Sequence, residues 1–200
     1  YWDAANVSID KIVYYPTENQ GSELKRYRAG ELDLTDDMPN SQLGWIRQNL
    51  AQEMRIAPYL GAYYYGFNVT QPPFKDNPKL RKALVLAIDR EILTAKIIGA
   101  GEIPAYGWVP PGTANYHPLQ PEWASWTREQ RLAEARRLYA EAGYSAEHPL
   151  EIELRYNTQE DHKKVAIAIA FMLKQALGVE TQLVNEEWKV FLQSRRFKRY

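Results

Sequence analysis

The sequence predicts an α/β protein, and three observations carry that reading. From residue 145 onward the apolar spacing alternates between a period of two and a helical period, giving strand, helix, strand, helix. That order is most simply joined as a parallel βαβ unit. Helix boundaries are also marked by capping residues, with a capping-box pattern at Thr127-Arg128-Glu129-Gln130 and glycines at Gly143 and Gly178. Finally, 200 residues with 45% hydrophobic and 25% charged side chains suffice to bury a core of the ordinary globular kind.

Taken in order, residues 9–16 (IDKIVYYP) alternate, carry β-branched and aromatic side chains and stop at Pro16, which predicts a strand. Residues 22–29 predict a short helix closed by Gly30, and 31–34 a second short strand. Pro39 suits a first helical turn, and Leu43, Ile46 and Leu50 follow at helical spacing. Residues 54–60 and 62–69 read as extended segments separated by Gly61. The stretch 78–98 reads as two helices, because Asp89 is a good N-cap for the second.

Residues 99–121 hold four Gly and five Pro and predict a long irregular loop. A helix then runs from the Thr127 box to Ala142. Leu150, Ile152, Leu154 and Tyr156 alternate with charged residues, as in a strand with one wet face. A long helix to Leu177, a strand over 179–185 and an amphipathic helix over 187–195 complete the pattern.

Charge and composition exclude several function classes. With 25 basic and 25 acidic side chains the formal net charge is zero, so a general electrostatic hold on nucleic acid is not expected. Without cysteine there is no disulfide, thiolate catalysis or cysteine-ligated metal. The apolar run 165–173 is too short to span a bilayer. The chain opens without Met or an apolar leader, so either a leader was removed or this is an internal piece. It closes on Arg195-Arg196-Phe197-Lys198-Arg199-Tyr200 with no Gly or Pro stop, which reads as a solvated helix end of a chain that continued.

The usual catalytic signatures are missing too. His117, His148 and His162 are widely separated, no G-x-S-x-G occurs, and Gly99-Ala100-Gly101 follows a helix where a phosphate loop would precede one. No cofactor is implied, and an enzyme is poorly supported.

Fourteen Tyr and six Trp against five Phe is a heavy load of aromatics with polar tips, suited equally to a Tyr-rich core and to a ligand surface. In an extended segment Tyr64 points away from Tyr63 and Tyr65. It is then either one face of an edge strand on a core or a phenol lining a cleft. Trp188 opens the last helix directly after a strand, at the carboxyl end where α/β units bind ligands. Arg195, seven residues on, shares its helical face and offers either a solvated cation or a carboxylate-binding fork.

Several of these stretches together resemble the periplasmic oligopeptide-binding proteins, the family 5 solute receptors of peptide ABC importers. The carrying segments are Arg26-Tyr27-Arg28-Ala29-Gly30-Glu31-Leu32-Asp33, Pro58-Tyr59-Leu60-Gly61 leading into the tyrosine triplet, Pro72-Pro73-Phe74, Leu80-Arg81-Lys82-Ala83-Leu84 and Ala87-Ile88-Asp89-Arg90. Pro104-Ala105-Tyr106-Gly107, Pro110-Pro111, Glu141-Ala142-Gly143-Tyr144, Tyr156-Asn157-Thr158 and Asn185-Glu186-Glu187-Trp188 follow in the same order.

The resemblance implies a fragment of a two-lobe, class II periplasmic-binding fold, with mixed sheets and flanking helices. Residues 1–60 would close the first lobe, and 61–200 would cross the hinge and begin the second. It implies a periplasmic receptor, in a Gram-negative bacterium, that takes a short peptide and delivers it to a membrane permease. Dipeptides, cell-wall peptides, haem, nickel or oligosaccharides are the ligands of related receptors.

Carried over by position, Tyr64 would line the cleft, Trp188 would pack on ligand side chains, and His162 and Arg195 would meet the carboxylate of longer peptides. Gly66, where relatives often have an acid, and Ile98, where some have a lysine, depart from the pattern. A fragment cut from such a receptor would expose surfaces normally covered and is expected to self-associate.

Overall fold

The computed structural model describes residues 2–17, 19–57 and 59–200, and the chain divides into two units, Tyr1–Glu53 and Met54–Tyr200. In the first unit, α1 (Gln20–Arg28) starts two residues earlier than the spacing predicts. The Asn19 side chain sets that start by accepting a hydrogen bond from the Ser22 N–H at 2.8 Å. A 3-10 turn, Asn40–Gln42, leads into α2 (Leu43–Asn49). Leu24, Leu43 and Ile46 are buried in this unit.

The strands expected over 9–16 and 31–34 do not form: neither segment enters a ladder among the described residues. Alternation supplies a face, but a strand also needs a second backbone to take its N–H and C=O groups. Ile9, Ile12, Val13 and Tyr14 accordingly stand exposed.

The second unit begins with 54–60 and 62–69, which likewise enter no ladder; Pro58 lies outside the described residues. Its order then follows the sequence closely. Asn77 caps α3 (Pro78–Ala87), its Oδ1 accepting from the Leu80 N–H at 3.1 Å, with Pro78 in the first turn. Leu80, Ala83, Leu84 and Ala87 recur at helical spacing and are all buried.

Asp89 caps α4 (Arg90–Ile92), as expected, accepting from the Ile92 N–H at 3.0 Å. The helix continues as a π turn, Leu93–Ile98. The loop after it is irregular throughout. Thr127 and Gln130 then form the reciprocal capping box at the head of α5 (Arg128–Glu141).

β1 (Glu151–Asn157) and β2 (Glu180–Glu186) pair in parallel, from Glu151 opposite Glu180 to Asn157 opposite Glu186. Between them runs α6 (Glu160–Leu177), stopped where Gly178 takes φ 75°. Its Val165, Ala166, Ile169, Met172, Leu173 and Leu177 form one buried stripe. Ile167 and Phe171, a turn apart, remain exposed. α3 and α5 pack on each other, and α6 packs on both of them and on the strand pair. Leu80, Leu84, Leu86 and Val179 are fully enclosed in the resulting core. α7 (Trp188–Arg196) closes the unit. None of the described helices is long and apolar enough to cross a membrane.

Candidate ligand-binding site

The parallel pairing of β1 and β2 puts both carboxyl ends, Asn157 and Glu186, at one edge, from which α6 and α7 depart. This is where an open α/β unit presents ligand-binding groups. His162 sits in the first turns of α6. Its Nδ1 is 2.7 Å from the Asn157 Oδ1, and its ring stacks on Tyr63 with centroids 4.8 Å apart and planes 25° from parallel. A proton on Nδ1 donated to Asn157 leaves Nε2 as the remaining polar atom of the ring.

The tyrosine triplet alternates as the sequence predicts, although its backbone is not a strand. Tyr63 and Tyr65 share a side, meeting edge to face at 5.6 Å, and the Tyr63 hydroxyl donates to the Tyr65 oxygen at 3.3 Å. Tyr65 packs against the core, and burial pushes its phenol well above the ordinary value. Burial raises Tyr63 as well, with the bond to Tyr65 working against it. Tyr64 points elsewhere: it is half exposed, and its ring meets Trp108 of the long loop at 4.5 Å.

Trp188 is the first residue of α7, 51% exposed and stacked on Phe191 at 6.0 Å. The preceding Glu187 fixes this start by accepting from the Lys189 and Val190 N–H groups at 2.9 and 3.4 Å. Below it, the Glu186 Oε1 takes hydrogen bonds from Arg155 at 2.7 Å and from the buried Ser194 at 3.0 Å, tying α7 to the strand pair. Arg195, next to Ser194, is exposed, and no described side chain pairs with its guanidinium.

The four residues singled out in the sequence thus all lie in the second unit, and three of them contact residues other than their fellows: Tyr64 with Trp108, His162 with Tyr63 and Asn157, Trp188 with Phe191. Sequence reasoning missed Tyr63, Asn157 and Trp108. The triplet's alternation held the signal for Tyr63, and the β1–α6 turn the signal for Asn157. Nothing local marks Trp108. Among the described residues no group of three or more His, Asp or Glu could hold a metal ion. The arrangement offers aromatic faces, one imidazole and one unpaired guanidinium, which suits binding an anionic, partly apolar ligand.

The chain is 43% identical over 196 residues to the periplasmic oligopeptide-binding protein OppA of Escherichia coli strain K12, covering 98% of this chain and 36% of that protein. The structure of the E. coli murein tripeptide-binding protein MppA superposes with a TM-score of 0.91 at 37% identity, over 98% of this chain and 38% of that one. Haemophilus influenzae OppA, solved in complex with the peptide RPPGFSPFR, gives 0.82 at 39% identity, over 92% and 36% of the two chains. The chain therefore spans little more than a third of the relatives it matches. Residues 1–200 match the profile described as bacterial extracellular solute-binding proteins, family 5 middle, and the chain belongs to that family.

Proposed function

We propose that this chain is part of an extracytoplasmic receptor that binds short oligopeptides and delivers them to the permease of an ABC importer. The observation that carries the reading is His162, held by Asn157 and Tyr63 at the carboxyl edge of the strand pair, with the exposed Trp188 opening α7 from that same edge. An imidazole and a free guanidinium can meet a peptide carboxylate, and indole and phenol faces can pack side chains of any sequence. Backbone pairing of the strand-addition kind would supply affinity without sequence preference.

The protein is a binder and not an enzyme on this reading, working in the Gram-negative periplasm. Residues 1–60 belong to the end of the first lobe and 61–200 to the hinge crossing and the start of the second. The division of the chain at Glu53 and Met54 supports a boundary in that region. The fit to the murein tripeptide-binding structure supports cell-wall peptides as the second candidate ligand.

Titration calorimetry on the natural protein that contains these residues tests the reading. Alanine peptides of roughly two to five residues and a murein tripeptide should release heat and saturate at one site. Saturable binding of nickel, an oligosaccharide or a single amino acid, with no peptide bound, would refute it.

A further inference from the structure

The long loop after the π turn is fastened to the helices at Tyr106. The Tyr106 hydroxyl donates to the Glu91 carboxylate on α4, and Arg131 on α5 donates to the Tyr106 oxygen at 3.1 Å and to Glu91 at 3.3 Å. Arg131 is only 7% exposed, so its charge is buried among these partners. The Tyr106 ring meets Trp123 at 5.4 Å, and the Arg90 guanidinium lies 4.9 Å from the Trp123 centroid and 5.4 Å from that of Tyr106.

Two residues beyond this anchor, Trp108 meets Tyr64, and the pair stays open to solvent, 69% and 50% exposed. Between anchor and indole, the loop's other limb passes so close that a Cβ on Gly107 would lie 2.6 Å from the Leu119 carbonyl oxygen. Tyr106, Gly107 and Trp108 therefore act as fastening, crossing point and presented ring. The two rings touch, tilted 53° to each other, and turn their outer faces to solvent, a surface on which a flat or branched apolar group can pack.

We propose that Trp108 and Tyr64 together form a subsite for an apolar peptide side chain, and that Tyr106 is the positioning residue that holds Trp108 there through Glu91 and Arg131. The ligand class rests on the peptide reading above; the fastening does not. Trp108 supplies contact area, whereas Tyr106 touches no ligand and acts only through the loop.

The test uses Tyr106→Phe, which keeps the ring on Trp123 and removes the hydroxyl, and Trp108→Leu, in the natural protein containing these residues. Near-ultraviolet circular dichroism of the unaltered protein minus Trp108→Leu isolates the coupled Tyr64–Trp108 signal. Tyr106→Phe should lose most of that signal while far-ultraviolet dichroism stays unchanged. Both variants should weaken Ala-Phe-Ala about threefold to tenfold and leave Ala-Ala-Ala unchanged. An intact signal in Tyr106→Phe overturns the positioning role. Equal weakening of both peptides, or of neither, overturns the subsite. If the unaltered protein binds no peptide, the peptide reading and the subsite fall together, while the dichroism still decides the fastening.

Discussion

The His162 imidazole and the Tyr63 phenol lie nearly face to face, with centroids 4.8 Å apart. Because the Nδ1 edge is also bound to Asn157, both the plane of the imidazole and its rotation within that plane are fixed. The ring is thus oriented before any ligand arrives, which lowers the ordering cost of binding.

On the proposed reading, that orientation serves the peptide carboxylate. His162→Ala should weaken longer peptides with a free C-terminus about tenfold to a hundredfold, the range of a lost charge-assisted hydrogen bond. Peptides with an amidated C-terminus should show little change. Asn157→Leu keeps the stack but frees the rotation and should give a smaller loss of the same selectivity. Calorimetry on the free and amidated pair is the check.

The buried phenols predict sensitivity to alkali. Burial raises Tyr65 and Tyr139, and burial with the Glu91 bond raises Tyr106. A phenol whose folded value is raised contributes stability that is fully present below about pH 10 and lost as pH rises through the folded value. Glu91 behaves oppositely. Partial burial pushes it up, but the Tyr106 hydroxyl and the Arg131 charge outweigh that and hold it below its ordinary value. Its contribution is lost only as pH falls below about 4. Melting temperature should therefore stay level from about pH 5 to 9 and fall above about 10, less steeply in Tyr65→Phe.

Gly178 ends α6 in the left-handed region at φ 75°, with open space where a Cβ would go. Gly178→Ala should cost about 1 kcal/mol through backbone strain alone, and Gly178→Asn less. A Leu84→Ala change in the enclosed core should cost about 2–5 kcal/mol by leaving a cavity. Urea denaturation of the three variants separates the two mechanisms by size.

Ile9, Ile12, Val13 and Tyr14 stand exposed on a segment whose backbone enters no ladder among the described residues. An unpaired apolar segment of this kind invites pairing with a second copy. The 200-residue chain should self-associate in sedimentation velocity runs as its concentration rises, and Ile12→Lys should shift it towards monomer. A strictly monomeric chain at every concentration would contradict this.

Local chemistry was the legible part of the fold. Thr127 with Gln130, Asp89 and Gly178 set helix ends through atoms a few residues away, so spacing alone reveals them. Leu154 and Tyr156 were readable because the partner strand follows within the same βαβ unit. Residues 9–16 show the opposite case, since a ladder depends on a second segment that alternation cannot supply.

The site divides along similar lines. Trp188 was visible from its place at a helix start and His162 only through the family resemblance, whereas Trp108 reaches Tyr64 through a loop with no period, fastened at Tyr106 by residues 15 and 25 positions away. A fastening of that kind leaves no local trace in sequence.

Native mass spectrometry of the natural protein as purified, with acid release and sequencing of whatever it carries, tests the receptor reading most directly. The account predicts one equivalent of bound material that resolves into a ladder of short peptides with mixed sequences. A single non-peptide ligand at full occupancy would contradict it.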